Sequence, residues 1–197
     1  MLPAETGQPP RQRPVVFIGF MGSGKTRVGE LVAESLGYTF VDTDEVIEQR
    51  AGRKISEIFT EDGEETFRRL ETEAIGTVLS GEWHTDSRRG LAVSLGGGAA
   101  TRTENWDILH GARALTIYLH ADPETLLDRV YGRPHRPLLA GLTREQTLER
   151  ISSMLHQRDP WYRRADLVIS SDNSGTRFDV AARVTSIVQS RLSGSGE

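Results

Sequence analysis

Gly19, Gly24, Lys25 and Thr26 stand at the spacing G-x-x-x-x-G-K-[ST] within the run Gly19-Phe20-Met21-Gly22-Ser23-Gly24-Lys25-Thr26. Glycines at such spacing let a loop curl until several backbone N–H groups face one concavity, the shape that holds phosphate oxygens. Lys25 is placed to reach β- and γ-phosphates, and the Thr26 hydroxyl is a hard oxygen suited to Mg²⁺. The apolar run Val15-Val16-Phe17-Ile18 precedes the motif, and a helical pattern with Val28, Leu31, Val32 and Leu36 follows. The motif requires that strand–loop–helix context. A plain glycine turn before a helix would not need the Lys25-Thr26 pair. Gly22, Ser23, Gly24, Lys25, Thr26 and Arg27 are therefore the candidate nucleotide-binding residues.

Further candidates lie apart in sequence. Asp42 and Asp44 follow a short apolar run. One carboxylate could hold Mg²⁺ through water while the other accepts a proton from an attacking hydroxyl. Asp42 or Thr43 could instead cap the next helix. Arg68 could clamp a carboxylate with two parallel hydrogen bonds, or pair with Glu64 or Glu71 along its own helix. Gly96-Gly97-Gly98 allows a ligand close to the backbone, or is a flexible turn. The run before it ends without an acidic residue, which leaves Thr26, Asp42, water and phosphate oxygens for Mg²⁺. Arg129, Arg133 and Arg136 surround an Arg-, Pro- and Gly-rich stretch, and arginines there could stabilise a phosphoryl group in transfer. Arg158 precedes Pro160, which predicts a helix end there. A cation near a helix C-terminus can be purely structural. His84, His110, His120, His135 and His156 lack metal-ligand spacing.

Five apolar runs predict strands at Val15–Ile18, Tyr38–Val41, Ala92–Leu95, Leu115–Leu119 and Leu167–Ile169. Their near-continuous hydrophobicity suits a parallel sheet covered on both faces. Helical patterns alternate with them at about Lys25–Leu36, Asp44–Ala51, Glu64–Leu79, Pro123–Tyr131, Arg144–His156 and Arg177–Leu192. That alternation predicts a doubly wound α/β fold with ligands at the carboxyl ends of the strands. The phosphate loop, Asp42 and Asp44, and the three glycines then share one crevice. Residues 45–80 read as a helical substrate-binding insertion, 129–142 as a mobile lid, and 81–90 as a polar loop. The expected organisation is a disordered arm over 1–13, one domain over 14–192 and a flexible tail over 193–197. The chain has 197 residues, net charge −4 and no cysteine. The charge offers no general field for nucleic acid or a membrane surface. The absence of cysteine excludes disulfides and thiolate sites and agrees with a reducing, cytoplasmic setting. No apolar stretch approaches the ~20 residues of a membrane span.

Taken in order, the phosphate loop, Asp42-x-Asp44, Phe67-Arg68-x-x-Glu71, Gly96-Gly97-Gly98, Arg136-Pro137-Leu138-Leu139 and Arg158-x-Pro160-x-Tyr162 resemble the shikimate kinase family. The resemblance runs from Val15 to about Leu192. It implies a P-loop NTPase fold of the nucleoside-monophosphate-kinase type, with a five-stranded parallel sheet, substrate-binding and lid segments. It implies transfer of the ATP γ-phosphate to the 3-hydroxyl of shikimate, with Mg²⁺, in chorismate and aromatic amino-acid biosynthesis. By position, Asp44, Arg68, Gly96, Gly97, Gly98 and Arg158 match the substrate-contacting residues. Asp44, Lys25 and Arg136 match catalytic ones, Arg136 the lid arginine on the phosphates, and Arg129 an arginine near adenine. A monomer without nucleic-acid or membrane partners is expected. A gluconate kinase, with the same loop and fold, is the alternative enzyme. A nucleotide-dependent switch is the alternative class, although no Asn-Lys-x-Asp guanine-reading run is present.

Overall fold

The computed structural model describes residues 12–83, 89–133, 137–139, 141–172 and 175–193. Five parallel strands form one sheet in the order β2-β3-β1-β4-β5, with β1 Val15–Ile18, β2 Thr39–Asp42, β3 Leu91–Ser94, β4 Leu115–His120 and β5 Leu167–Ser170. From β1 the chain winds outward to β2 and returns to β3. It then crosses β1 to reach β4. The carboxyl ends of β1 and β3 thus flank the reversal of strand order, where α/β sheets open a crevice.

Alternation within the strands feeds two cores. Val15 and Phe17 face α1 (Lys25–Leu36) and α8 (Arg177–Ser193), packing with Val28, Val32, Val180, Val184 and Val188. Val16 and Ile18 face the other side, where Ile75, Trp106, Leu109, Tyr118, Leu126 and Ile151 pack. That side carries α2 (Thr43–Ala51), α3 (Ile55–Glu61), α4 (Gly63–Ser80), α5 (Thr103–Gly111), α6 (Pro123–Val130) and α7 (Arg144–Tyr162). β1 and β3 are buried at every residue, as crossover helices on both faces require.

Three differences from the sequence reading bear on the site. First, β2 and β3 are each offset by one residue from the apolar runs. The ladder pairs Thr39 with Leu91 and Asp42 with Ser94. Pairing, not hydrophobicity, sets the strand end, and it places Asp42 beside Ser94. Second, α3 is a separate short helix within the 45–80 helical insertion, and α5 is a helix that the apolar pattern does not predict. Third, Pro160 does not end α7, which continues to Tyr162. Proline forfeits one backbone bond, but the Arg163 N–H closes the last turn on the Asp159 carbonyl at 2.9 Å. Tyr162 is wholly buried and lies 5.0 Å from the Tyr118 ring between centroids. Burying that aromatic outweighs a lost bond worth about 1 kcal/mol. Arg158 and Tyr162, four residues apart, consequently share one helix face.

Candidate active site

The phosphate loop leaves β1 and turns into α1. Gly22 and Gly24 adopt left-handed backbone, φ 82° and 96°. At Gly22 a Cβ would also strike the Val130 side chain. No side chain caps α1, which leaves its first N–H groups and the positive end of the helix to the concavity. Lys25 is buried, with Nζ donating to the Phe20 carbonyl at 3.0 Å. The Ser23 hydroxyl is buried and has no hydrogen-bond partner among the described residues. Thr26 Oγ1 donates to Asp42 Oδ2 at 2.8 Å and lies 3.5 Å from Ser94 Oγ. Arg27 is exposed and pairs with Glu30 at 3.1 Å. It lies in the first turn of α1, after the loop.

Asp42 caps α2 with one oxygen and meets the phosphate loop with the other. Oδ1 accepts the Asp44 N–H at 3.0 Å, capping α2, while Oδ2 faces Thr26. The hard oxygens of Thr26, Asp42 and Ser94 cluster where the loop meets β2 and β3. The described residues contain no group of three or more His, Cys, Asp or Glu able to hold a metal by themselves.

Beside this loop lies a cavity of about 390 Å³. Asp44, Gly96, Gly97, Gly98, Arg68 and Arg158 line it. Phe59 and Phe67 supply one apolar wall, with Ile55, Leu138 and Met21 nearby. Sequence reasoning missed the apolar wall and Lys54 at the rim; α3, which carries Phe59, is only 7 residues long.

Arg68 is 9 % exposed and bonds Glu71 and Glu64, each at 2.9 Å. The pairing along α4 and the pocket-facing position coexist. Burial works against the Arg68 charge, but the Glu71 and Glu64 carboxylates outweigh it and hold the guanidinium above its ordinary pKa. Glu71 is completely buried. Burial raises its carboxyl above the ordinary range, against the pull of Arg68, Arg158 and Arg102. Arg158 Nη1 donates to the Gly97 carbonyl at 3.4 Å, and the Tyr162 hydroxyl donates to the same oxygen. Burial pushes the Tyr162 hydroxyl up to about 12, so it remains a donor at neutral pH.

The three glycines have separate steric reasons. A Cβ at Gly96 would fall against Glu71 and 2.9 Å from Asp44 Oδ1, and one at Gly97 would lie 3.1 Å from the Met21 amide nitrogen. A Cβ at Gly98 would land on the Arg68 guanidinium. The turn after β3 is bare because the side chains of Glu71, Asp44 and Arg68 and the backbone of the phosphate loop all press on it.

Arg129 reaches the phosphate loop from α6. Its guanidinium donates to the Gly22 carbonyl at 3.3 Å and to the Ser171 carbonyl at 2.5 Å. Arg133 is exposed. Arg136, the expected lid arginine, lies outside the described residues, as do His84, His135, residues 1–11 of the arm and the end of the tail.

The shikimate kinase family model matches residues 21–189. This chain belongs to the shikimate kinase family. It is accordingly an ATP-dependent kinase. A shikimate kinase of Symbiobacterium thermophilum is 40% identical over 179 residues, covering 90% of this chain and 97% of the relative. The structure of the Acinetobacter baumannii shikimate kinase in complex with shikimate aligns with a TM-score of 0.80 at 34% identity, covering 92% of this chain and 96% of that one. A gluconokinase from Sinorhizobium meliloti aligns at TM-score 0.58 with 21% identity, covering 95% of this chain and 99% of that one, a likeness of fold alone. The family assignment settles the choice between the two kinases that the phosphate loop left open. Among the described residues, no helix is long and apolar enough to cross a membrane.

Proposed function

We propose that the cavity beside the phosphate loop binds shikimate and presents its 3-hydroxyl to the γ-phosphate of ATP. The observation that carries this reading is the convergence of Arg68, Arg158 and Asp44 on one cavity of about 390 Å³ that Gly96–Gly98 also line. Two arginines suit a ring carboxylate, and the carboxylate of Asp44 suits ring hydroxyls. Phe59 and Phe67 suit the carbon face of the ring. Asp44 orients the attacking hydroxyl and takes its proton. Lys25 turns from the Phe20 carbonyl to the phosphates, and the charge of Arg136 suits them too. Positioning and charge stabilisation supply most of the acceleration. Gly22, Ser23, Gly24 and the backbone of Arg27 cradle the phosphates, with Arg129 behind them toward adenine.

Mg²⁺ fits the donor set. Thr26 Oγ1 and Asp42 Oδ2 are hard oxygens 2.8 Å apart, and a magnesium site in a kinase needs only one or two protein ligands beside phosphate and water. Thr26 would hold the ion directly and Asp42 through water. When bound, it neutralises charge on the phosphates. The protein is read as a cytoplasmic monomer.

The test is the product. After incubation with ATP, Mg²⁺ and shikimate, ³¹P NMR should show one new phosphomonoester coupled to the ring proton at C3. Phosphate on another hydroxyl, or inorganic phosphate alone, would overturn the assignment.

A further inference from the structure

We propose that Ser171, at the end of β5, is a positioning residue for ATP, holding the phosphate loop in its binding shape through the Ser23 carbonyl. The proposal rests on the ATP reading of that loop and assigns its affinity to a residue 148 positions away in sequence.

Ser171 is 3 % exposed. Its hydroxyl oxygen lies 2.8 Å from the Ser23 carbonyl and 3.1 Å from the His120 carbonyl. The His120 carbonyl already accepts the Ser171 backbone N–H at 2.7 Å. The His120 carbonyl has a second lone pair, but the Ser23 carbonyl is the nearer acceptor, at 2.8 against 3.1 Å, and has the better claim to the single hydroxyl proton. A peptide unit is planar and trans, so the Ser23 carbonyl and the Gly24 N–H are rigidly opposed across one plane. Fixing the carbonyl from behind fixes the direction of the Gly24 N–H in front. Gly24 needs that help: its backbone is left-handed, φ 96°, and glycine is the residue least able to hold a conformation unaided.

Arg129 completes the clamp. One guanidinium nitrogen holds the neighbouring Gly22 carbonyl and another holds the Ser171 carbonyl. The end of β5, α6 and the loop thereby form a closed ring of hydrogen bonds. Ser171 does not line the acceptor cavity. The consequence is selective: loosening this clamp weakens ATP binding and leaves acceptor binding alone.

The experiment is calorimetric titration of the β,γ-imido analogue of ATP into wild type, Ser171→Ala and Ser171→Thr, with KM for ATP and for shikimate measured on the same samples. Ser171→Ala should bind the analogue about fivefold more weakly, the factor one lost hydrogen bond carries. Its KM for ATP should rise in step, with KM for shikimate unchanged. Ser171→Thr, which keeps the hydroxyl, should stay within about twofold of wild type. If Ser171→Ala does not fold, Ser171→Cys, close in volume and only a weak donor, takes its place with the same expectation. Wild-type affinity in the variant lacking the donor, or an equal rise in both KM values, would overturn the proposal. Analogue binding does not involve shikimate, so a wild-type enzyme that binds it yet ignores shikimate would defeat the substrate assignment while leaving this one standing.

Discussion

Asp42 carries two loads on two oxygens, and they can be separated. Asparagine caps a helix about as well as aspartate. Asp42→Asn should therefore keep thermal stability close to wild type but lower kcat and raise the Mg²⁺ concentration needed for half-maximal rate. Asp42→Ala should lose about 1 kcal/mol of stability as well. Equal activity of Asp42→Asn and wild type at limiting Mg²⁺ would reduce this residue to a cap. Arg68 is harder to separate, since it neutralises the fully buried Glu71 while facing the cavity. Removing one partner of a buried pair costs about 3–5 kcal/mol unless the remaining charge is discharged. Glu71 can discharge by taking a proton. Its carboxyl is already raised by burial, so the folded state binds more protons than the unfolded state between the ordinary glutamate pKa and the raised one. Stability then falls as pH rises through that window and is recovered below it. In Arg68→Ala the window widens upward. Urea midpoints should show the variant far below wild type at pH 7.5 and nearer to it at pH 5.5, while ATP-analogue binding survives. A stability deficit independent of pH would contradict this account of Glu71. Both readings of Arg68 were legible in its sequence, because helix spacing gives the partners and the resemblance that the Phe67-Arg68-x-x-Glu71 run carries implies the substrate contact. That one side chain does both was not, because this depends on how far α4 is buried.

At the scale of elements, the site is assembled by the turn after β3 and the last two turns of α7. Gly98 is the contact between the turn and α4, where any Cβ meets the Arg68 guanidinium. Gly98→Ala should displace that guanidinium and lower kcat/KM for shikimate about tenfold, the usual effect of overpacking a tight contact. KM for ATP should barely move. An equal loss on both substrates would mean that the turn supports the fold rather than the acceptor site. The glycine run was visible in sequence, but its steric reasons were not, since they come from α4, α2 and the phosphate loop together. Pro160 misled for a similar reason. Local chemistry favours stopping the helix there, and the burial of Tyr162 against Tyr118 carries it two residues further. α3 did not stand out as a separate helix within the 45–80 insertion because it is short and follows Lys54, without a Ser, Thr, Asp or Asn cap. Its first turn is held instead by Glu57 reaching back to the Lys54 N–H at 2.9 Å.

At the scale of the whole molecule, strand order does what no single motif can. The order β2-β3-β1-β4-β5 sets the phosphate loop beside the turn after β3 and sets Asp42 beside Ser94. The α/β class and the convergence on one crevice followed from apolar runs alternating with helical patterns. The bonds that tune the crevice did not, because they join residues as distant as Gly97 and Tyr162 or Ser23 and Ser171. Such pairs leave no periodic trace in a single sequence. The central claim, that this crevice delivers ATP phosphate to shikimate, is tested most directly by the initial rate of ADP release with ATP and Mg²⁺. Three acceptor conditions suffice: none, gluconate and shikimate. The account predicts strong stimulation by shikimate, none by gluconate, and loss of that stimulation in Asp44→Asn. A rate indifferent to shikimate, or one raised equally by gluconate, would contradict it.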